Sequence, residues 1–234
     1  MKLALIGYGA MGKLVETLAG AAGDEIGLKV ASNDAATAAP ELSTALRGHD
    51  VAIDFSVAVA VPRNIEACAR AGVPLVEGTT GWQEKETEAR RLIADHQGAL
   101  VYGANFSIGV NVFYRIVSQA TRLMATLDQY QAFMEEEHHA RKRDAPSGTA
   151  LKLKALMSEH IRTDIPIASV RAGYIPGTHR VGFDSAADQI TLTHMARSRE
   201  GFAAGALLAA HWIVGRKGVY EFSEVVNEIL KSDE

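Results

Sequence analysis

The chain has 234 residues, of which 47% are hydrophobic and 22% charged, with a formal net charge of −4. That length buries a sizeable core in one large domain or two small ones, and the balance is globular, neither fibrous nor disordered. The acidic balance speaks against a general nucleic-acid binder but leaves room for a local basic pocket holding one small anion.

Strands and helices alternate through the first hundred residues. KLALI (2–6), LKVAS (28–32), VAIDF (51–55), PLVEG (74–78) and ALVYG (99–103) read as buried strands. Residues 11–22, 57–71 and 84–96 carry apolar residues at helical spacing. This alternation predicts a parallel sheet with right-handed crossovers. The opening MKLALIGYG is too short for a signal peptide and right for a first strand. Cys68, the single cysteine, excludes an internal disulfide and reads as a buried, inert thiol.

The first strand runs into Gly7-Tyr8-Gly9-Ala10-Met11-Gly12. A GxGxxG between a strand and a helix permits a tight turn, close backbone approach to a pyrophosphate, and free amides at the helix start. Dinucleotide binding is the expectation. Past the third glycine, where NAD-binding proteins place a carboxylate for the ribose, stand Ser32 and Asn33, with Asp34 beyond them. No arginine is ready for a 2′-phosphate, so NADH and NADPH both remain open. Three further loops fall on the same sheet edge: Phe55-Ser56, Gly78-Thr79-Thr80 and Gly103-Ala104-Asn105-Phe106. Their small and hydroxyl residues suit a cofactor groove.

After Asn105 the rhythm changes. A helix is predicted over 110–127, a strand over 130–134, a helix over 150–160, and strands over 169–174, 178–183 and 189–195. This is an α+β arrangement, paired largely antiparallel. Residues 202–214 are again helical, and Val219-Tyr220 with 223–230 close the chain. No apolar run reaches the ~18 residues of a membrane span, so no membrane partner and a cytoplasmic location are expected.

Between the predicted strand and helix lies EEEHHARKRDAPSGTA, 135–150. Ser147 is a candidate N-cap, which would aim the amides of Gly148 and Thr149 at a carboxylate. His138 and Lys142 can move a proton and hold an anion. Arg141 and Arg143 read as solvated charge. Adjacent histidines on a strand point to opposite faces, so no metal site is expected at His138 and His139. Glu135–Glu137 either orient the histidines or face water.

The string from His138 through Lys142, Asp144 and Ser147 to Ala150 resembles the 4-hydroxy-tetrahydrodipicolinate (dihydrodipicolinate) reductase family of bacterial lysine and diaminopimelate synthesis. GYGAMG (7–12), VAIDFS (51–56), GTTG (78–81), ANFSIGVN (104–111), SVRAGYIPGTH (169–179) and ITLTHMARSREGFAAGAL (190–207) extend the likeness along the chain. The resemblance implies a Rossmann-like cofactor domain, 1–105 plus about 200–234, and a mixed-sheet substrate and oligomerisation domain, 106–199. It further implies a homotetramer, and hydride transfer from NADH or NADPH to C4 of a small dianionic substrate with loss of water. Carried over, His138 is the acid–base group, Lys142 the proton donor, and His139, Gly148 and Thr149 substrate contacts. Ala10, where many members carry a cation, and Ser32-Asn33 depart from the pattern at the adenosine end. The stretch between Ile161 and Ser169 is short for the family. Two alternatives stand beside this reading: another two-domain nicotinamide-dependent amino-acid dehydrogenase, and a non-catalytic NAD-binding regulator. The His138–Thr149 turn speaks against both.

Overall fold

Short strands that are apolar on both faces need cover from both sides. The computed structural model, which describes residues 1–31 and 37–231, supplies it. The chain begins β1 (Lys2–Ile6), α1 (Ala10–Ala21), β2 (Glu25–Val30), α2 (Ala39–Leu46), β3 (Val51–Asp54), α3 (Val61–Ala71), β4 (Leu75–Glu77), α4 (Glu86–Asp95) and β5 (Ala99–Tyr102). It continues α5 (Ile108–Met124), β6 (Gln131–His138), α6 (Gly148–Ser158), β7 (Ile167–Arg171), β8 (Thr178–Asp184) and β9 (Gln189–Met195). The last elements are α7 (Glu200–Ile213), β10 (Gly218–Glu221) and α8 (Phe222–Lys231). Ser32, Asn33 and Asp34 lie outside the described residues.

The chain divides into two units, Met1–Ile108 with Glu200–Glu234 and Gly109–Arg199. The first holds a six-stranded sheet, β10-β5-β4-β3-β1-β2, with every pairing parallel. One face packs Ala4, Ile6, Ala52, Leu75 and Leu100 against apolar residues of α2, α3 and α4. Helix α7 packs on β3, β4, β5 and α1. This is a Rossmann-like layer. Strand order reverses at β1, with β2 on one side and β3 on the other. The loops after β1 and β3 therefore flank the crevice where such sheets hold ligands.

Several elements differ from expectation. β2 begins at Glu25, not 28, because it is an edge strand with alternating exposure and no continuous apolar run marks its start. Helix α2 is an addition; its Ala39, Leu42 and Leu46 are buried, and Pro40 occupies its first turn. The predicted helices at 57–71 and 84–96 open with 3₁₀ turns, Ala58–Ala60 and Gln83–Lys85. Val219 and Tyr220 belong to a sixth parallel strand, β10, on β5.

The second unit holds the sheet β7-β6-β8-β9, with β6–β7 parallel and the other two pairings antiparallel. Its core joins Val110, Phe113, Tyr114 and Val117 of α5 to Leu153 and Met157 of α6 and to Met134, Val181 and Phe183 of the sheet. Each such side chain, fully buried, contributes about 1.5–3 kcal/mol. β6 runs four residues past its predicted end. Its inward positions there are Glu136 and His138, so polar residues carry on the alternation that apolar ones began.

Gly205 in α7 meets the chain closely: a Cβ there would stand 1.7 Å from the Phe106 carbonyl oxygen. Gly20 in α1 would place a Cβ within 4 Å of nothing. Gly205→Ala should therefore destabilise by about 1–3 kcal/mol through overpacking, while Gly20→Ala should stabilise by about 0.5–1 kcal/mol. Thermal unfolding of the two variants checks this; equal shifts would contradict the packing of α7.

Candidate active site

At the crevice of the first sheet, Gly7 has a φ of +86°, and a Cβ there would lie 2.3 Å from the Phe55 carbonyl oxygen. At Gly12 a Cβ would come 2.4 Å from the Gly7 carbonyl oxygen. Gly9 faces open space and caps α1 without a side-chain hydrogen bond. Room for close approach and uncapped helix amides are what a pyrophosphate requires, so these residues fit a dinucleotide. Ala10 and Met11 form the first turn of α1. The Tyr8 hydroxyl donates to Glu16, and Lys29 of β2 pairs with the same carboxylate at 2.5 Å. This ties the glycine turn to the neighbouring strand.

The loops after β3 and β4 are bound to each other. The Ser56 amide donates to Asp54 Oδ1 at 2.7 Å and to Thr79 Oγ1 at 3.0 Å, and the Thr79 amide donates to Glu77 Oε1 at 2.7 Å. Gly78 lies under the Phe55 ring, where a Cβ would fall 2.1 Å from Cε1. Thr80 and Ala104 are exposed beside them. Gly103 is close-packed, with Phe222 Cβ 3.1 Å from where its own would stand. Asn105 Oδ1 accepts the Ser107 amide at 2.9 Å, a local turn bond. The Phe106 ring is 2% exposed and packs on Phe222 with centroids 4.6 Å apart; its side chain is core.

In the second unit, Glu136 and His138 lie two residues apart on β6 and share its inward face. A Glu136 oxygen hydrogen-bonds His138 Nδ1, and the other accepts Arg171 Nη2 at 2.6 Å. Burial alone would raise Glu136, but hydrogen bonds from Arg171 and Ser169 and the charges of His138 and Arg171 carry it down to about 2. His138 is pulled down by burial and by the charges of Lys142 and Arg171, against the opposing pull of Glu136. With Glu136 ionised, the imidazole proton sits on Nδ1, which leaves Nε2 as a lone-pair acceptor. Gly177 leaves room for it: a Cβ there would be 3.1 Å from His138 Nε2.

His179 of β8 stands edge-on to His138, with ring centroids 5.1 Å apart, and its Nε2 is 3.1 Å from Ser147 Oγ. Burial and then the His138 charge hold His179 down at about 4. Ser147 caps α6, its Oγ accepting the Ala150 amide at 3.2 Å. The helix begins at Gly148, two residues before its predicted start. Gly148 is exposed, and Thr149 hydrogen-bonds the buried Tyr114 hydroxyl. Lys142 pairs with Asp144 at 2.8 Å. His139 Nδ1 is buried with no partner among the described residues. Arg141 and Arg143 are exposed.

The structure thus joins His138, Lys142 and Ser147 to Glu136, which takes the first of the two alternatives set out for the glutamates, and to Arg171, Gly177 and His179, to which the sequence reading assigns no role. Glu136, His138 and His179 also offer three ligand atoms within 4.8 Å of one another. The cation of Arg171 already occupies one Glu136 oxygen, however, and a divalent ion there would face Arg171 and Lys142 together.

Two family models match the chain: "Dihydrodipicolinate reductase, N-terminus" over residues 1–106 and "Dihydrodipicolinate reductase, C-terminus" over residues 109–226. A 4-hydroxy-tetrahydrodipicolinate reductase of Christiangramia forsetii is 36% identical, covering 99% of this chain and 100% of its own length. One from Anaeromyxobacter dehalogenans is also 36% identical, covering 94% of this chain and 84% of its own. Among solved structures, the dipicolinate-bound dihydrodipicolinate reductase from Paenisporosarcina sp. TG-14 superposes with a TM-score of 0.77 at 22% identity, covering 94% of this chain and 97% of that one. The last is a likeness of fold.

Glu136 raises His138 both by charge and by hydrogen bond. Glu136→Gln should therefore move the His138 titration to lower pH, as followed by NMR of the ring nitrogens. An unchanged or higher midpoint would break the link.

Proposed function

The chain belongs to the dihydrodipicolinate reductase family, and we propose how its own residues carry that family's reaction. The activity is NAD(P)H-dependent reduction of 4-hydroxy-tetrahydrodipicolinate at C4 with loss of water, giving tetrahydrodipicolinate for diaminopimelate and lysine synthesis. The bound dinucleotide supplies the hydride. Residues 7–12, with Phe55, Ser56, Gly78, Thr79, Thr80 and the backbone of 103–106, hold it at the crevice of the first unit.

In the second unit, the observation that carries the proposal is the His138 ring hydrogen-bonded to Glu136, which Arg171 holds in turn, beside the capped start of α6. The Gly148 and Thr149 amides receive one substrate carboxylate, and His139 and Lys142 receive further negative charge. His138 Nε2 takes a proton from a ring carbon next to C4 and returns it to the departing hydroxyl, so elimination of water consumes none. Lys142 then gives the one proton that reduction requires, quenching the charge built on the ring as hydride arrives. This division follows from a histidine that begins neutral and an ammonium close by.

We further infer a homotetramer and a cytoplasmic setting. The face of the second sheet opposite its helices bears Val170, 46% exposed, and Met195, 63% exposed, and a second copy is the natural cover. No helix among the described residues is long and apolar enough to cross a membrane.

Kinetics with NADH and NADPH side by side test the assignment. Lys142→Ala and His138→Ala should each lower turnover by about 10²–10⁴-fold, with dinucleotide affinity unchanged. Pyridine-2,6-dicarboxylate should compete with substrate; unaltered turnover in the double variant, or inhibition that follows cofactor concentration alone, contradicts these roles. Light scattering should give about four times the 25.0 kDa of one chain, and a monomer mass would refute the assembly.

A further inference from the structure

Asp54 and Glu77 are the last residues of β3 and β4, paired directly across the parallel register. Both are fully buried, at 0% exposure. Asp54 is well supplied with donors: the Ser56 amide reaches Oδ1 at 2.7 Å and the Asn64 side-chain amide reaches Oδ2 at 2.6 Å. Asn64 is held in that orientation because Arg63 donates to its Oδ1 from Nε at 3.0 Å and Nη2 at 2.6 Å. Glu77 is not so supplied. The Thr79 amide reaches Oε1 at 2.7 Å and the Thr79 hydroxyl also bonds this carboxyl, but Oε2 is buried with no donor from the described residues.

A buried carboxylate oxygen with no donor, beside a second carboxylate and with no cation on it, is a costly arrangement. A single proton resolves it. We propose that Glu77 is held protonated and hydrogen-bonds Asp54, and that this one-proton pair is the positioning device for the Ser56 and Thr79 loops of the cofactor site. Each carboxyl clasps the amide two residues beyond it, and the Thr79 hydroxyl closes the gap between the loops. The inference rests on the cofactor placement proposed above and adds to it a residue that does not touch the cofactor.

Burial first, and then the charge of Asp54, push Glu77 well above the usual carboxyl range. Among the described residues, Arg63 of α3 faces this pair through Asn64, and Cys68 of α3 and Tyr102 of β5 pack on the same face. Burial, with the charges of Asp54 and Glu77, pushes the Cys68 thiol up, and burial leads in pushing Tyr102 up to about 12. Loss of the Glu77 proton as pH rises through its raised pKa sets two carboxylates side by side, and the loops they hold lose their register.

Infrared spectroscopy of the unmodified chain with ¹³C-labelled glutamate reads the proton without any cofactor: a carboxylic C=O band should be present at neutral pH and absent in Glu77→Gln. Glutamine keeps the acceptor for Thr79 and offers Asp54 a permanent donor. The variant should bind NADH and NADPH within about twofold of the parent at neutral pH, since a like-shaped replacement keeps both hydrogen bonds. Above the Glu77 pKa the parent should lose affinity by about tenfold per pH unit, and Glu77→Gln should not. Absence of the carboxylic band, or parallel alkaline losses in parent and variant, overturns the proposal. A parent that shows the band but binds neither dinucleotide at neutral pH sinks the cofactor placement instead, together with the positioning role that rests on it.

Discussion

A charge buried without a partner is among the costliest things a fold can contain, and the second unit is organised around one that has its partners. Glu136 is fully buried and ionised because Arg171 and His138 take its two oxygens. Removing one partner from such a pair costs about 3–5 kcal/mol, so the positions of β7 and the end of β6 are fixed by the same contact. From it the rest follows. The His138 ring is held in one tautomer, its Nε2 faces the gap left by Gly177, and His179 and Ser147 close the neighbouring side.

The two units solve the same problem differently. Glu77, like Glu136, is fully buried on a strand with another ionisable group across the register. The partner of Glu136 includes a guanidinium, so the carboxylate keeps its charge and is driven down to about 2. Glu77 has Asp54 opposite it and no cation on it among the described residues, so the same burial drives it the other way. Burial alone does not decide the direction; the charge of the neighbour does. One carboxyl is thereby suited to steadying a base, and the other, on the protonation proposed for it, to joining two loops without adding charge near the dinucleotide proposed there.

Local chemistry was legible in the sequence wherever a few adjacent residues determine it. The glycine turn, the Ser147 cap and the buried strands of the first unit are of this kind, and the described structure contains each. Helix α2 was missed because a short helix with one proline-led turn carries little periodicity. Which of the glutamates orients a histidine stayed open for a different reason. Glu135, Glu136 and Glu137 are the same residue, and composition cannot rank them. Alternation could have: once β6 is extended to His138, position 136 shares its inward face, while Glu135 turns out to pair with Arg180 at 2.6 Å. Arg171, Gly177 and His179 reach the site through strand register across more than thirty residues of chain, which no local pattern encodes.

Register also explains how a chain of net charge −4 presents a cationic site. Arg171 is spent on Glu136, so its charge contributes structure more than attraction. Lys142 is different. Its partner Asp144 has a side chain 56% exposed, against 24% for Lys142 itself, and an ion pair whose carboxylate is so open to solvent is worth only about 0–1 kcal/mol. On the proposed mechanism an arriving dianion competes with Asp144 for the ammonium, and exchanging one carboxylate for another there costs little. The buried pair is too expensive to break and so holds the geometry. The exposed pair is weak enough to be replaced and so supplies the charge.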